Sequence, residues 1–459
     1  MNSVALKMYV GSFMLLFIHV FSLNAVVNFD IATTSPEQVK ALKNQDPKEW
    51  TIVVYMAADN DLELFSRRNL AQLVSLGSNS RITLLVQLDT KIAGGKKITK
   101  RYYIEPNRLV ITNQNQTGMD SGSPDTLIDC MRWASTYRAH HFMLILWNHG
   151  TGIIDIGKPR GLNPSLLFNF NPLSNLIELD RSIPFLDFAT APLIDPRGIC
   201  FDDSTGNYLT NQKLEYALQV ITQDILKKKI DIIGFDACLM SMIEIANIVR
   251  DYAHFMVSSQ EVELGTGWDY QLAFAPLINK KMTPLELART IVFSYETAYI
   301  KITPDYTQSA IDLSSIQELE FNVYEVAHLL TIMLTHQQDK SVRDTVRMCR
   351  HNQLCTHFDE PSYIDLHHFY INLLNNLQKM KVHHNSQTKN IQTRLKTLLQ
   401  EGALLIKKSV QANVTGKNLS NATGISIYFP EHGIHGSYRR TKFAAGGEWL
   451  NFLSAILVA

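Results

Sequence analysis

A cysteine and a histidine each stand just beyond an apolar run of strand length, where the two side chains could serve as a nucleophile and its base. Cys238 follows a run that ends near Phe235, and His149 follows a run that ends at Trp147. A run of helical period comes after Cys238, and the dipole of a helix that begins there favours thiolate over thiol. Histidine titrates near neutral pH, as the base for a thiol must. The pattern predicts nucleophilic catalysis by this pair.

Two further residues belong to this candidate site. Gly150 leaves its backbone amide unobstructed, so that it could bind an oxyanion together with the amide of Cys238. Asp236 stands two positions before the cysteine, where a carboxylate would select a cationic group. An equally good interpretation of Asp236 is a turn residue that is hydrogen-bonded to its own backbone. Taken singly, Cys238 is also typical of a small buried hydrophobe and His149 of a loop, but their joint position at strand ends favours the catalytic pair.

The elements around these residues predict an α/β fold. Apolar strands alternate with amphipathic helices, which indicates a mostly parallel sheet covered by helices on both faces. The functional loops of such a sheet gather beyond the carboxyl ends of its strands. The predicted strands are residues 51–56, 81–89, 102–104, 142–147, 198–201, 230–235, 254–259, 309–313 and 424–429. The predicted helices are residues 62–76, with the cluster Asp59, Asn60 and Asp61 as its cap, and residues 124–137, 210–226, 316–334, 363–380 and 388–408.

The N-terminal residues 1–25 differ in composition from the rest of the chain. Lys7 precedes an apolar run that gives way to small and polar residues at Ala25. This pattern predicts an export signal that is cleaved near Ala25, and a single membrane anchor is the alternative.

The rest of the chain divides into a linker at residues 26–49, an α/β domain at 50–315 and an accessory region at 316–459, mainly helical with a late strand. Within the α/β domain, six prolines mark residues 153–197 as an exposed, irregular excursion.

Composition excludes several classes of protein. The chain has 459 residues, of which 46% are hydrophobic, so it can bury a large core. Lysine plus arginine and aspartate plus glutamate both number 43, and this balance provides no basic field for a nucleic acid. Five cysteines in a chain of this length do not make a disulfide scaffold. We expect a monomer that contacts no membrane beyond the N-terminal segment.

No metal site can be assigned from the sequence. Adjacent histidines occur at 140–141, 367–368 and 383–384, but no His-Glu-x-x-His motif accompanies them. The acidic pairs Asp59 with Asp61, and Asp202 with Asp203, could hold calcium, yet neither forms an EF-hand-like loop. We therefore predict no cofactor, with calcium as the open alternative.

Four blocks of the sequence together resemble the clostripain-like cysteine peptidases, which belong to the caspase-like superfamily. The blocks are VVYMAADNDLE at 53–63, WNHGTG at 147–152, FDACLM at 235–240, and SSQE with GTGW at 258–261 and 265–268. The resemblance covers about residues 50–310, with weaker support from 424–430. It implies a caspase-like sheet, a His–Cys dyad and an endopeptidase that cleaves proteins or peptides after arginine or lysine.

The resemblance also implies a role for each matching residue. His149 would be the general base and acid, Cys238 the nucleophile, Gly150 an oxyanion donor and Asp236 the acidic floor of the S1 pocket. Ser258 is a weaker candidate for the wall of that pocket. The caspase signature Gln-Ala-Cys is replaced by Asp-Ala-Cys, which argues against a pocket for an acidic P1 residue. Some relatives in this family need calcium.

Members of the family mature by cutting themselves between the histidine and the cysteine. The excursion at 153–197 lies in this interval, and its basic residues are candidate processing sites: Lys158, Arg160, Arg181 and Arg197. An inert insertion is the alternative interpretation of this segment.

Two other functions compete with the peptidase. One is a catalytically silent surface or periplasmic binding protein that keeps the peptidase scaffold. The other is a metal-dependent hydrolase that uses the paired histidines. Thiol alkylation would abolish activity only in the cysteine peptidase, and chelation would abolish it in the metal-dependent hydrolase.

Overall fold

The computed structural model describes residues 30–92, 94–115, 117–155, 167–182, 198–336, 340–380 and 386–458. The export signal expected at residues 1–25 lies outside these ranges, as do Lys158, Arg160 and Arg197. Among the described residues, no helix combines the length and the apolar character needed to cross a bilayer.

Sixteen strands lie in the described ranges. They are β1 (Asp30–Thr33), β2 (Lys48–Ala58), β3 (Ile82–Lys91), β4 (Lys97–Glu105), β5 (Arg108–Asn115), β6 (Ala139–Trp147), β7 (Phe168–Asn171), β8 (Leu176–Leu179), β9 (Ile199–Asp202), β10 (Asn207–Leu209), β11 (Ile230–Asp236), β12 (Ala253–Ser258), β13 (Thr307–Asp312), β14 (Tyr363–Asp365), β15 (Val410–Thr415) and β16 (Ser426–Tyr428). Ten of them form one sheet in the order β1-β5-β4-β3-β2-β6-β11-β12-β13-β15.

The centre of this sheet is parallel, which confirms the predicted fold class. β2 runs parallel to β3 and β6, and β11 runs parallel to β6 and β12. Antiparallel pairs extend the sheet on both sides, through β3–β4 and β12–β13. The central strands are continuous apolar runs, and Val53, Ile145 and Ile232 are fully buried in them. Such runs have no polar face because both faces of a parallel sheet are covered.

Thirteen helices in the described ranges flank the sheet. They are α1 (Pro36–Lys43), α2 (Glu63–Leu76), α3 (Pro124–Ala134), α4 (Asn211–Val220), α5 (Ile243–Val249), α6 (Tyr270–Asn279), α7 (Pro284–Tyr299), α8 (Ile316–His336), α9 (Lys340–Arg350), α10 (Leu366–Asn376), α11 (Ser386–Ser409), α12 (Lys442–Ala445) and α13 (Glu448–Leu457). A π-helical turn, Ile221–Leu226, continues α4.

The segment expected to be a linker is partly ordered. β1 pairs with β5 at one edge of the main sheet, and α1 follows it directly. Ser35 caps α1 in a capping box with Gln38. That spacing was present in the sequence, and it is a recognised start signal for a helix. The linker prediction at 26–49 is therefore corrected for residues 30–43.

The C-terminal region is built into the α/β core rather than appended to it. β15 pairs with β13 at the other edge of the main sheet, where Thr415 lies opposite Thr307. β16, within the predicted late strand, pairs with β14. Periodicity could not reveal these pairings, because each joins strands that are far apart in the chain. The description of 316–459 as accessory is corrected accordingly.

The proline-rich excursion contains regular structure that the sequence analysis did not predict. β7 and β8 form an antiparallel hairpin, with Phe168 opposite Leu179. Asn175 has a positive φ of 57° in the connecting turn, a conformation that asparagine tolerates. Only residues 167–182 of the central part of the excursion are described.

Candidate active site

The strands that precede His149 and Cys238 are neighbours in the sheet. β6 and β11 pair in parallel, with Trp147 opposite Asp236. The segments that follow β6 and β11 therefore leave the sheet at the same edge. His149 and Cys238 line one cavity there, together with Asp236.

Asn148 fixes the loop that carries His149. Its side-chain amide donates to the carbonyl of Ala57 at 2.5 Å, and its side-chain oxygen accepts from the amide of Phe201 at 2.8 Å. Its backbone amide donates to the carbonyl of Asp236 at 3.3 Å. The position of His149 thus depends on β2, β9 and β11 as well as on its own strand.

Gly150 lets this loop approach the nucleophile closely. A Cβ at this position would lie 2.6 Å from the carbonyl oxygen of Cys238, which is too close for any other residue without a shift of the backbone. The loop after β6 and the turn after β11 are therefore packed backbone to backbone, and Gly150 lies beside Cys238 as the oxyanion assignment requires.

Asp61 is a site residue that the sequence analysis missed. Its carboxylate contacts Nε2 of His149 at 2.8 Å, and the side chains are 28% and 5% exposed. The sequence analysis took Asp61 as part of a helix cap, but α2 begins at Glu63 and no side chain caps it. The signal that could have found Asp61 is its place just beyond the carboxyl end of β2, the strand next to β6.

The Cys238 sulfur lies against a single backbone segment. The amide of Glu263 donates to Sγ at 3.4 Å, and Sγ lies 3.9 Å from the carbonyl of the same residue. Burial raises the pKa of this thiol above its usual range. The expected helix does not follow at once, since α5 begins only at Ile243. Because a helix dipole acts mainly within the first turn, it assists this thiol less than the sequence suggested.

Asp236 lines the cavity together with Glu263, a residue that was not predicted from the sequence. Asp236 accepts a hydrogen bond from the Tyr270 hydroxyl at 2.7 Å and from the Trp268 amide at 3.0 Å. These partners come from a distant loop, whereas the turn interpretation predicted bonds to the neighbouring backbone. Burial raises the pKa of Asp236 to about 6, and burial beside Asp236 raises that of Glu263 well above its usual range. Two carboxyls buried side by side therefore disfavour a state in which both are charged.

Leu167 forms part of the wall of the cavity. This residue immediately precedes the hairpin of β7 and β8, is 2% exposed and lines the cavity beside the catalytic candidates. The remaining volume is about 20 Å³, enough for about one water molecule and too small for an arginine side chain. The described conformation is a covered site.

Ser258 and Arg181 do not join this cavity. Ser258 is the last residue of β12 and fully buried, whereas the residues that line the cavity come later in the same loop, from Val262 to Gly267. The Arg181 guanidinium lies instead 2.9 Å from Glu261 and 3.3 Å from Asp305. The other three processing candidates are outside the described ranges.

Three buried carboxylates near the site lie close enough together to bind a metal ion. Asp59, Asp89 and Asp202 each offer an oxygen within 4.8 Å of the others. The ammonium group of Lys97 lies between them, 2.9 Å from Asp89 and 3.5 Å from Asp59, and also contacts Asp202. Lys91 contacts Asp59 as well, at 2.8 Å. A lysine thus takes the position of a cation, and this arrangement does not fit a resident calcium ion.

Comparisons with known proteins identify the family to which the chain belongs. The model of the clostripain family matches residues 54–163 and 188–450 of the chain. Clostripain from Hathewaya histolytica is 24% identical over 261 residues, which are 51% of this chain and 43% of that protein. The chain thus spans less than half the length of this relative.

Two solved structures share the fold. A secreted C11 cysteine protease from Bacteroides thetaiotaomicron, in complex with an irreversible peptide inhibitor, is 18% identical with a TM-score of 0.56, and the match covers 88% of this chain and 99% of that one. An inactive zymogen C11 protease from Parabacteroides distasonis is 17% identical with a TM-score of 0.55, covering 87% and 98%. Because the family model matches most of its length, the chain belongs to the clostripain family of cysteine peptidases.

Proposed function

We propose that this protein is an exported cysteine endopeptidase that cleaves peptide bonds after arginine or lysine. One observation carries the proposal: a single cavity holds a histidine, a cysteine and a pair of buried carboxyls, His149, Cys238, Asp236 and Glu263. The first two can perform acyl transfer, and the last two can bind a cation.

The reaction follows from the placement of the groups. His149 takes the proton from the Cys238 thiol, and the sulfur attacks the scissile carbonyl carbon. The amides of Gly150 and Cys238 bind the oxygen of the tetrahedral intermediate. His149 then gives its proton to the leaving amine, and the acyl group remains on the sulfur. A water molecule deprotonated by His149 hydrolyses this thioester and restores the thiol.

The acidic pair accounts for the choice of substrate. A guanidinium or ammonium group that enters the cavity would favour the charged forms of Asp236 and Glu263, because an opposite charge lowers a carboxyl pKa. A neutral or acidic P1 side chain would leave both groups buried without a cation. We therefore expect cleavage after Arg and Lys and no cleavage after Asp.

Self-processing between His149 and Cys238 is part of the proposal. Leu167 lines the cavity, whose volume of about 20 Å³ is too small for a basic side chain, and we expect a cut in the excursion to let Leu167 withdraw. Lys158, Arg160 and Arg197 remain the candidate sites, whereas Arg181 is engaged with Glu261 and Asp305. The unchanged chain and its Cys238→Ala variant are expressed in parallel and compared on a denaturing gel. The unchanged chain should give two fragments, and the variant should give one band. A single band from each protein would rule out self-processing.

The experiment that tests the activity uses reporter peptides with Arg, Lys or Asp at P1, with and without iodoacetamide. Cleavage of the Arg and Lys peptides that iodoacetamide abolishes supports the proposal. EDTA should leave cleavage unchanged, because the proposed reaction uses no metal ion.

A silent binding protein on the same scaffold is the second candidate, and the covered cavity is the observation that favours it. In that case no reporter peptide would be cleaved in a thiol-sensitive way, even after a cut has been made in the excursion.

A further inference from the structure

Three neighbouring strands of the sheet each deliver one polar side chain to the same edge. The strands β2, β6 and β11 are consecutive in the sheet. Asp61 follows β2, His149 follows β6 and Cys238 follows β11. His149 and Cys238 thus belong to a row of three polar residues along this edge of the sheet, with Asp61 as the third.

Asp61 is held where it contacts the imidazole. The side-chain amide of Asn60 donates to the carbonyls of Ala57 at 3.0 Å and Phe201 at 2.9 Å, and its side-chain oxygen accepts from the Leu62 amide at 3.0 Å. These bonds fix the turn on both sides of Asp61. The aspartate therefore reaches His149 from a rigid position and not from a mobile loop.

The contact selects one state of the imidazole. A carboxylate only accepts hydrogen bonds, so Nε2 of His149 must carry the proton that it shares with Asp61. In the neutral ring Nδ1 is then the basic nitrogen. When the ring takes a second proton, the carboxylate at 2.8 Å stabilises the imidazolium.

Other charged groups surround the imidazole from the neighbouring elements. Burial raises the pKa of Asp203, in the turn between β9 and β10, and a smaller effect of nearby His149 lowers it. Cys238, Asp236 and Glu263 line the same cavity as the imidazole. The ring of Phe201 packs edge-on against the imidazole, with 6.3 Å between the ring centroids. Asp61 contacts a ring nitrogen of His149 directly.

We propose that Asp61 is a positioning residue of the peptidase, so that the site works as a Cys238–His149–Asp61 triad instead of a dyad. Asp61 keeps the proton on Nε2, directs Nδ1 to the proton of the Cys238 thiol and stabilises the imidazolium that results. The inference rests on the proposed function for its catalytic part, but the hydrogen bond itself can be tested without turnover.

The first experiment is kinetic. Asp61→Asn offers an amide that can donate to Nε2 and so favours the wrong tautomer, and the expected result is a fall in kcat on the Arg reporter peptide of about 10- to 1000-fold with little change in KM. The dependence of kcat/KM on pH should change in the same variant, because Asp61 contacts the imidazole directly. Asp61→Glu should restore part of the rate. The matched control is Asp46→Asn, at an exposed aspartate; it should leave kcat and the profile unchanged.

The second experiment observes the tautomer in an uncut and inactive chain. The Cys238→Ala protein is labelled with ¹⁵N-histidine and observed by NMR. The signal of His149 is the one that disappears when His149→Gln is added. Its ¹⁵N chemical shifts should show a protonated Nε2. Adding Asp61→Asn should shift the proton to Nδ1.

The two experiments separate the two claims. A kcat of Asp61→Asn within about twofold of the unchanged protein, or a His149 tautomer that does not respond to Asp61→Asn, would overturn the triad. Failure of the unchanged protein to cleave any reporter would instead overturn the proposed function, and the tautomer measurement would still decide the role of Asp61.

Discussion

At the scale of single residues, the most consequential feature is the pair of buried carboxyls beside Cys238. Asp236 and Glu263 are 4% and 5% exposed, and burial raises the pKa of both. Ionisation of either group in the folded chain is therefore unfavourable unless a cation is close by. If these residues select a basic side chain, we expect them to weaken the fold when no substrate is bound.

The first prediction concerns Glu263→Gln. Burial raises the pKa of Asp236 to about 6 in the folded chain, from about 3.9 in an unfolded chain, so folding takes up a proton in this range. Stability should then fall as pH rises from about 4 to about 6, on the order of 2–3 kcal/mol. Burial also raises the pKa of Glu263, so Glu263→Gln removes a second group that takes up a proton on folding and should flatten the fall in stability. The measurement is the free energy of unfolding against pH in the Cys238→Ala background.

A matched control exists for that comparison. Glu318 is 62% exposed and pairs with Lys408 at the surface, so Glu318→Gln should leave the pH dependence unchanged. A curve for Glu263→Gln that runs parallel to the unchanged chain would refute this uptake of a proton by Glu263.

The second prediction concerns Asp236→Asn. This variant should reduce kcat/KM on the Arg reporter by about 100-fold or more, because a buried carboxylate that binds a cation is lost. Its midpoint of thermal unfolding should stay close to that of the unchanged chain, since an amide can still accept from Trp268 and Tyr270. Unchanged selectivity in this variant would show that Asp236 only supports the loop of Trp268 and Tyr270.

His149 and Cys238 could be selected from the sequence because both follow apolar strands, and the parallel pairing of β6 and β11 explains why they meet. Asp61 and Glu263 could not be selected in that way. Asp61 also fitted the pattern of a helix cap, and Glu263 lies in a loop whose path over the cavity depends on Trp268, Tyr270 and other tertiary contacts.

At the scale of elements, the hairpin of β7 and β8 lies beside the site and is held at its base. Leu167, just before β7, lines the cavity, and Arg181, just after β8, pairs with Glu261 and Asp305. The amide of Asp180 donates to the carbonyl of Leu167 at 2.7 Å and closes the base of the hairpin. The number of prolines in this segment predicted irregular structure. The alternating apolar residues that form the hairpin were therefore not recognised as strands.

The third prediction concerns Arg181→Ala. Removal of the guanidinium leaves two buried carboxylates without a cation. The free energy of opening the hairpin should fall by about 1–3 kcal/mol. This loss is smaller than for a fully buried ion pair because Arg181 is 39% exposed. Hydrogen exchange of residues 167–182 in the Cys238→Ala background is the measurement. Arg132→Ala, at an arginine that is 61% exposed, is the control. Equal protection of the hairpin in Arg181→Ala and in the unchanged chain would show that this ion pair does not hold it.

At the scale of the whole molecule, the sheet joins the first described residues to the C-terminal region. β1 forms one edge and β15 the other. The C-terminal region also contacts the residue before the loop that lines the site, because the amide of Asp359 donates to Glu261 at 2.9 Å. The alternation of strands and helices predicted the centre of the sheet correctly. It could not predict the edges, where each strand is short and its partner is remote in the sequence.

The fourth prediction follows from this architecture. A chain that stops at residue 315 would expose β13 along its whole edge and remove the buried surface of α8 to α13. We expect it to be insoluble or to lack cooperative unfolding, as judged by circular dichroism. A soluble, cooperative fragment would restore the accessory interpretation of 316–459.

The central claim is that Cys238 is the nucleophile of a peptidase that accepts a basic P1 residue. The most direct measurement is mass spectrometry of the protein after reaction with a peptidyl arginine probe that alkylates active-site thiols. The account predicts one adduct, located on Cys238, that is absent from His149→Ala and is not formed by the matching aspartate probe. An adduct on any of the other four cysteines, or equal labelling by both probes, would contradict it.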